Sequence, residues 1–246
     1  MNLTIDIGNT RIKTAVFEGK NLLEVKAFDK SAFEEGVRGL FNRNPNIRQA
    51  IISSVAEAAS DYESVLTDHV RVFHLDQNLS LNFSSKYDDT SKLGADRKAL
   101  IAAAVTIYPA QDVLVIDMGS CVTYDLVDRL GLHHGGGISP GWQMRLNAMH
   151  TFTGLLPQLS TLEYIIEMKE VTGMNTHQAM FNSTYYGLLA EIEQRIEHYK
   201  SEFPDLTVIL TGGDAQSFSV RLKNRIFAHS NFLVQGLRQL LDYNTL

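Results

Sequence analysis

The chain has 246 residues, 44% of them hydrophobic and 20% charged, with a formal net charge of −6. That composition describes an ordinary globular protein with apolar material for one large core or two smaller ones, and it excludes disordered and low-complexity classes. The acidic balance and the lack of a basic stripe speak against a nucleic-acid partner. The cations within Arg221–Arg225 read as a solvated helix face. One cysteine, Cys121, leaves no intrachain disulfide framework and fits a reducing compartment. No apolar run reaches the roughly 18 residues of a membrane helix. Met1 leads straight into a strand, without the basic region of a secretory signal. A cytoplasmic protein without a membrane partner is expected.

Leu3–Ile7 is apolar and β-branched, and Arg11–Gly19 alternates Ile12, Thr14 and Val16 with polar residues. Both predict strands, and Leu22–Asp29 continues in the same style. Ser31–Asn44 predicts a helix capped by Ser31 or Asp29. Gln49–Val55 predicts a short strand, Glu57–His69 a helix and Val70–Asp76 another strand. Residues 80–93 are polar and irregular, with Tyr87 among them. Gly94–Tyr108 predicts a strong helix. Beyond Pro109, Asp112–Gly131 reads as an apolar strand, an acid, a glycine turn and a second alternating strand. His133–Gly141 reads as a glycine-rich loop feeding a helix. Asn175–Phe203 predicts a long helix, Thr207–Phe218 a strand ending in a Gly-Gly turn, and Asn231–Asn244 a last helix. A strand-rich opening followed by alternation predicts α/β architecture with an antiparallel part in the sheet.

Two of these segments match. Asp6 and Gly8 fall on Asp117 and Gly119, 111 residues later, with Asn9-Thr10 against Ser120-Cys121. Each copy reads strand, acid, any residue, glycine, polar turn, strand. A unit repeated at that distance predicts two related halves, each presenting its acid at a sheet edge, with ligand in the cleft between them. Glycine lets backbone N–H groups approach an anion, and Asn9, Thr10 and Ser120 add neutral donors. A carboxylate beside a polyphosphate repels it unless a cation intervenes, so Asp6 and Asp117 point to metal ions. Lys13 faces away from Ile12 and can reach a phosphate. Thr211–Ala215 (TGGDA) adds a third turn of the same character. Turn chemistry alone accounts for one such motif; the second copy shifts the balance. The Walker and dinucleotide-binding glycine patterns are absent. His133-His134 lacks the partners of a zinc site, and Cys121 reads as a small turn residue.

The ordered set DIGNTRIK, GADR, IDMGSCVTYD, GGGISPG, MNT and TGGDA resembles type III pantothenate kinases over nearly the whole chain. These belong to the superfamily of acetate and sugar kinases, heat-shock ATPases and actin. The resemblance implies duplicated ribonuclease H-like (actin-like ATPase) domains, mixed sheets flanked by helices, at residues 1–110 and 111–246. It implies ATP-dependent phosphorylation of the primary hydroxyl of pantothenate, the first step of coenzyme A biosynthesis, by a homodimer. Asp6, Ile7, Gly8, Asn9, Thr10, Arg11, Ile12 and Lys13 then match the first ATP-phosphate loop, and Ser120 a further ATP contact. Tyr87, Gly94, Ala95, Asp96 and Arg97 match pantothenate contacts, with Asp96 the proton acceptor. Thr176 matches a further pantothenate contact near the dimer interface. Asp117 matches the ligand of a monovalent cation, K⁺ or NH₄⁺, and Asp6 holds Mg²⁺, directly or through water. Ser120-Cys121 departs from the family's usual Thr-Ala but keeps the hydroxyl. On the residues alone, Asp96 also fits a first-turn acid that favours the helix dipole. Another small-molecule kinase of the superfamily, an ATPase, or a non-catalytic transcription accessory factor are the alternative readings.

Overall fold

The structure is a computed structural model that describes all residues except 9–10, 55–59, 77, 164–169, 225 and 246, and the side chains of 60 and 61. The chain opens with strands β1 (Asn2–Ile7), β2 (Ile12–Glu18) and β3 (Asn21–Phe28), then helix α1 (Phe33–Arg43). Next come β4 (Gln49–Ser54), α2 (Ser60–Thr67), β5 (Arg71–His74), β6 (Ser84–Ser85) and α3 (Ala95–Ile107). The second half runs β7 (Val113–Met118), β8 (Cys121–Val127), β9 (Leu132–Pro140), α4 (Trp142–Thr151) and α5 (Thr176–Glu202). It closes with β10 (Thr207–Thr211), α6 (Ala215–Ser219), β11 (Phe227–Ala228) and α7 (Phe232–Tyr243). Two compact units result: residues 1–110, 129–134 and 231–246 form one, and residues 111–128 and 135–230 the other.

The first unit is built on a sheet of order β3-β2-β1-β4-β5. β1 runs antiparallel to β2 and parallel to β4. Leu3, Ile5 and Ile7 are fully buried, and so is Thr4 on the opposite face. A strand covered on both faces needs a helix layer on each side. Val37 and Leu40 of α1 and Leu66 of α2 pack with Leu3 and Ile5. Ala99 and Ala102 of α3 and Leu237 and Leu240 of α7 pack on Ile51, the opposite face of β4. A Cβ on Gly236 would stand 1.8 Å from the Ala99 carbonyl oxygen, so α7 and α3 touch backbone to backbone. The cap expected for α1 is absent. A 3-10 turn at Lys30–Ala32 intervenes, and Asp29 makes no side-chain cap bond. Glu34 and Glu35 in the first turn of α1 supply favourable charge there instead.

The second unit repeats the pattern, with β9-β8-β7-β10-β11 in the places of β3-β2-β1-β4-β5. β7 is again antiparallel to one neighbour, β8, and parallel to the other, β10. Its core joins Leu114, Ile116 and Tyr124 of the sheet to Trp142, Tyr185, Leu188 and Phe218 of α4, α5 and α6.

His133–Gly141, expected as a loop, is mostly the strand β9. Its alternation is real but written partly in glycine: residues 135, 137 and 139 are half-buried, and residues 136, 138 and 140 are exposed. Large neighbours fill the missing side chains. A Cβ on Gly137 would lie 2.8 Å from the Arg195 guanidinium. That guanidinium stacks 4.4 Å over the Tyr124 ring, whose hydroxyl donates to Glu191 at 3.2 Å. Of the Arg221–Arg225 cations, Arg221 and Lys223 follow α6 in non-helical chain rather than on a helix face, and Arg225 lies outside the described residues.

Candidate functional site

In the first unit, Asp6 is the next-to-last residue of β1. Its register partners are Lys13 on β2 and Ser53 on β4, so a cation and a hydroxyl flank the carboxylate across the sheet. Ile7 pairs with Ile12, and both are fully buried, so only their backbones can serve a ligand. Gly8 closes the turn by donating its N–H to the Arg11 carbonyl at 3.1 Å. Arg11 is exposed and pairs with Asp29 at 3.7 Å. Asn9 and Thr10, expected as phosphate donors, lie outside the described residues.

Burial pushes the Asp6 carboxyl up from the ordinary carboxylate range to about 7, and the neighbouring Asp96 charge adds to the rise. Ser53 and Lys13 pull in the other direction. With the charge of Asp96, from the first turn of α3, acting on Asp6 at the end of an apolar strand, the position favours an added positive charge.

Asp96 and Arg97 stand in the first turn of α3. Asp96 Oδ1 accepts the Arg97 N–H at 2.8 Å. A Cβ at Gly94 would come within 2.6 Å of that oxygen, so the glycine makes room for the carboxylate. Ala95 packs with the α3–α7 cluster. Arg97 is 4% exposed, and its guanidinium lies 5.5 Å over the Tyr87 ring. A desolvated arginine against an aromatic face is fixed in direction and keeps its planar fork of donors. Tyr87 rests on a residue assigned no role in the sequence, His133, with ring centroids 6.2 Å apart. Their contact depends on the pairing of β6 with β9, 48 residues away, and no local pattern announces it.

In the second unit Asp117 occupies the position of Asp6, with Thr123 and Thr211 as register partners. The Gly119 N–H donates to the Cys121 carbonyl at 3.0 Å, and Ser120 is exposed at the tip of the turn. Two other turns close on it. The Gly141 N–H donates to the Ser120 carbonyl at 3.1 Å, and a Cβ there would meet the Gly119 oxygen at 2.4 Å. Gly212 has φ +95°, and a Cβ on it would lie 2.5 Å from Asp117 Oδ1. The Asp214 N–H donates to the Met118 carbonyl at 3.1 Å. TGGDA therefore cradles the end of β7.

Thr176 opens α5 and is exposed. The Asn175 side chain caps that helix by accepting the Gln178 N–H at 2.9 Å. Thr176 lines a cavity of about 520 Å³ together with Met149, Leu156, Met174, Met180 and Ser183.

Among the described residues no three His, Cys, Asp or Glu side chains form a metal cage. Mg²⁺ brought in with a nucleotide keeps its waters and takes one or two carboxylates plus phosphate oxygens. Asp6, near the end of β1, could supply such a carboxylate. Asp117, pressed against the Gly212 backbone, offers a hard oxygen ligand for a monovalent cation.

A family profile described as type III pantothenate kinase matches residues 2–198. The type III pantothenate kinase of Christiangramia forsetii is 43% identical over 244 residues, covering 99% of each chain. That of Bacteroides fragilis is 39% identical over 245 residues, covering 99% of this chain and 98% of its own. Among solved structures, a putative Baf family transcriptional activator from Campylobacter jejuni superposes with a TM-score of 0.63 at 20% identity, over 98% of each chain. A ROK family glucokinase from Streptomyces griseus, in complex with glucose and AMPPNP, gives 0.51 at 11% identity, over 99% of this chain and 98% of its own. These two likenesses show the fold alone, the duplicated ribonuclease H-like fold of sugar kinases. On the profile match and the full-length relatives, the chain belongs to the type III pantothenate kinase family.

Proposed function

We propose that this pantothenate kinase transfers the γ-phosphoryl group of ATP to the primary hydroxyl of pantothenate with Asp96 as the proton acceptor. One observation carries the assignment of roles. Asp6 lies within the field of Asp96, and the neighbour of Asp96, Arg97, is buried and directed along Tyr87. A phosphate-end carboxylate, a base and an anion-binding guanidinium are thus grouped on one unit.

Phosphoryl transfer asks the protein for positioning and charge neutralisation more than for covalent chemistry. Arg97 binds the pantothenate carboxylate through its fork of N–H donors, and Tyr87 walls the same pocket. Held so, the hydroxyl gives its proton to Asp96 as its oxygen attacks phosphorus, and ADP leaves. Gly94 keeps the Asp96 rotamer free of a clash. Lys13, across from Asp6, offers positive charge to the phosphates. Ser120 and the turn N–H groups around it hold ATP through hydrogen bonds. Asp6 would hold Mg²⁺, which would supply positive charge to offset that of the phosphates. Asp117 would hold K⁺ or NH₄⁺, which would supply a second positive charge for the nucleotide.

The functional form is a homodimer in a reducing, cytoplasmic setting. Phe152, Leu155, Leu162 and Met174 are each more than 80% exposed on the stretch from the end of α4 to the start of α5, where Thr176 stands. Exposed apolar side chains of that size support burial against a second copy. No helix among the described residues is long and apolar enough to cross a membrane.

The test is ADP release from purified protein with Mg-ATP, with and without pantothenate, in potassium and in sodium. Turnover that needs pantothenate, rises with potassium and disappears in Asp96→Asn is the expected result. ATP hydrolysis indifferent to pantothenate overturns the acceptor assignment in favour of another kinase or an ATPase. No turnover under any condition favours a regulator that kept the fold.

A further inference from the structure

We infer that His133 is a positioning residue for Tyr87, and through Tyr87 for Arg97, so that it sets the affinity for the acceptor substrate. The inference rests on the reading of Tyr87 and Arg97 as pantothenate contacts.

His133 is 0% exposed. A buried imidazole needs hydrogen-bond partners, and the partner here is informative. Nδ1 shares a hydrogen bond of 2.8 Å with Ser85 Oγ. The same Oγ accepts the Tyr87 N–H at 3.0 Å. The His133 carbonyl accepts the Lys86 N–H at 2.9 Å. Side chain and main chain of one residue therefore fasten the segment that carries Tyr87.

The ring adds a surface. Its plane lies 22° from that of Tyr87 at a centroid distance of 6.2 Å, and Phe83 closes its edge at 6.4 Å and 81°. Tyr87 in turn carries the Arg97 guanidinium 5.5 Å from its centroid. The order Ser85, His133, Tyr87, Arg97 runs from a hydroxyl in the sheet to the anion-binding fork beside Asp96.

The segment needs such a fastening. β6 has only two residues, too short to hold a loop by strand pairing alone. A tyrosine on an unfastened loop must be ordered when substrate binds, and that entropy is subtracted from affinity. His133 orders it beforehand. Loss of His133 function should therefore appear in the KM for pantothenate and not in the KM for ATP.

The test is steady-state kinetics and thermal melting of the full-length chain as His133→Phe, Ser85→Ala, the double variant and Tyr87→Ala. His133→Phe keeps a buried ring and removes the bond to Ser85; Ser85→Ala removes it from the other end. The expected result is a pantothenate KM about five- to tenfold higher in each single variant, from one hydrogen bond and part of a stacking contact. The ATP KM stays within about twofold, and the double variant is no worse than the worse single one. If Tyr87→Ala leaves the pantothenate KM unchanged, the contact reading fails and takes this inference with it. If Tyr87→Ala raises it while both hydrogen-bond variants stay at the wild-type value, only the positioning role is overturned. A parallel loss for both substrates that tracks the folded fraction also overturns it. Should His133→Phe not fold, Ser85→Ala alone decides.

Discussion

Asp96 acts on Asp6: its charge, added to burial, holds the Asp6 carboxyl near pH 7. The folded protein therefore binds a proton at Asp6 more tightly than the unfolded chain does. Stability linked to this group falls as pH rises from about 4 to about 7, and the cost is fully present above 7. Asp6→Asn removes that cost. Its melting temperature relative to wild type should rise between pH 5 and pH 8, by an amount worth at most about 3 kcal/mol. The same variant should lose turnover, because the carboxylate proposed to hold Mg²⁺ is gone. Saturating Mg-ATP should close the stability gap by stabilising the wild type alone. A pH-independent difference in melting temperature would refute the argument.

Asp96→Asn tests the base. The amide keeps the size of the side chain but cannot take the hydroxyl proton. The expected loss in kcat is about 10²- to 10⁴-fold, with the KM for ATP little changed. If Asp96 were only a first-turn acid, the variant would lose about 0.3–1 kcal/mol of stability and keep its rate. Stopped kinetics with retained folding separates the two outcomes.

Gly212→Ala probes the cation site proposed at Asp117. The left-handed φ of +95° already disfavours alanine there, and its Cβ would press on Asp117 Oδ1 and the Met118 backbone. Potassium activation should weaken about tenfold or more, read as the concentration giving half-maximal rate. Gly213→Ala is the control, because nothing lies within 4 Å of a Cβ at that position. Equal effects at the two positions would detach Gly212 from the cation.

The legibility of the site follows chemical contrast. Asp6 and Asp117 stand out because a charge closes an apolar strand and a glycine follows. The twofold repeat then exposes the duplicated fold, and the matching sheet orders bear it out. β9 reads as a loop in sequence because glycines erase the alternation that Tyr124 and Arg195 fill from elsewhere. The return of α7 to the first unit has no local signal. Its apolar face names no partner, and Gly236 becomes meaningful only once the Ala99 carbonyl lies against it. His133 could be weighed in sequence only as a metal ligand, since Ser85 and Tyr87 reach it through a long-range strand pair.

Leu155→Asp tests the proposed dimer. Leu155 is 97% exposed, so a charge there costs the isolated chain little. In a dimer that buries this stretch, an unpaired carboxylate would be desolvated, and the association should weaken by several kcal/mol. Sedimentation equilibrium should then show monomer at concentrations where wild type is dimeric. Thr176 stands near this surface, at the start of α5, and is proposed as a pantothenate contact. Loss of the dimer should therefore raise the pantothenate KM, and high protein concentration should partly restore it. A monomeric wild type, or a Leu155→Asp protein that stays dimeric with normal kinetics, would place the interface elsewhere and leave Thr176 without the proposed role.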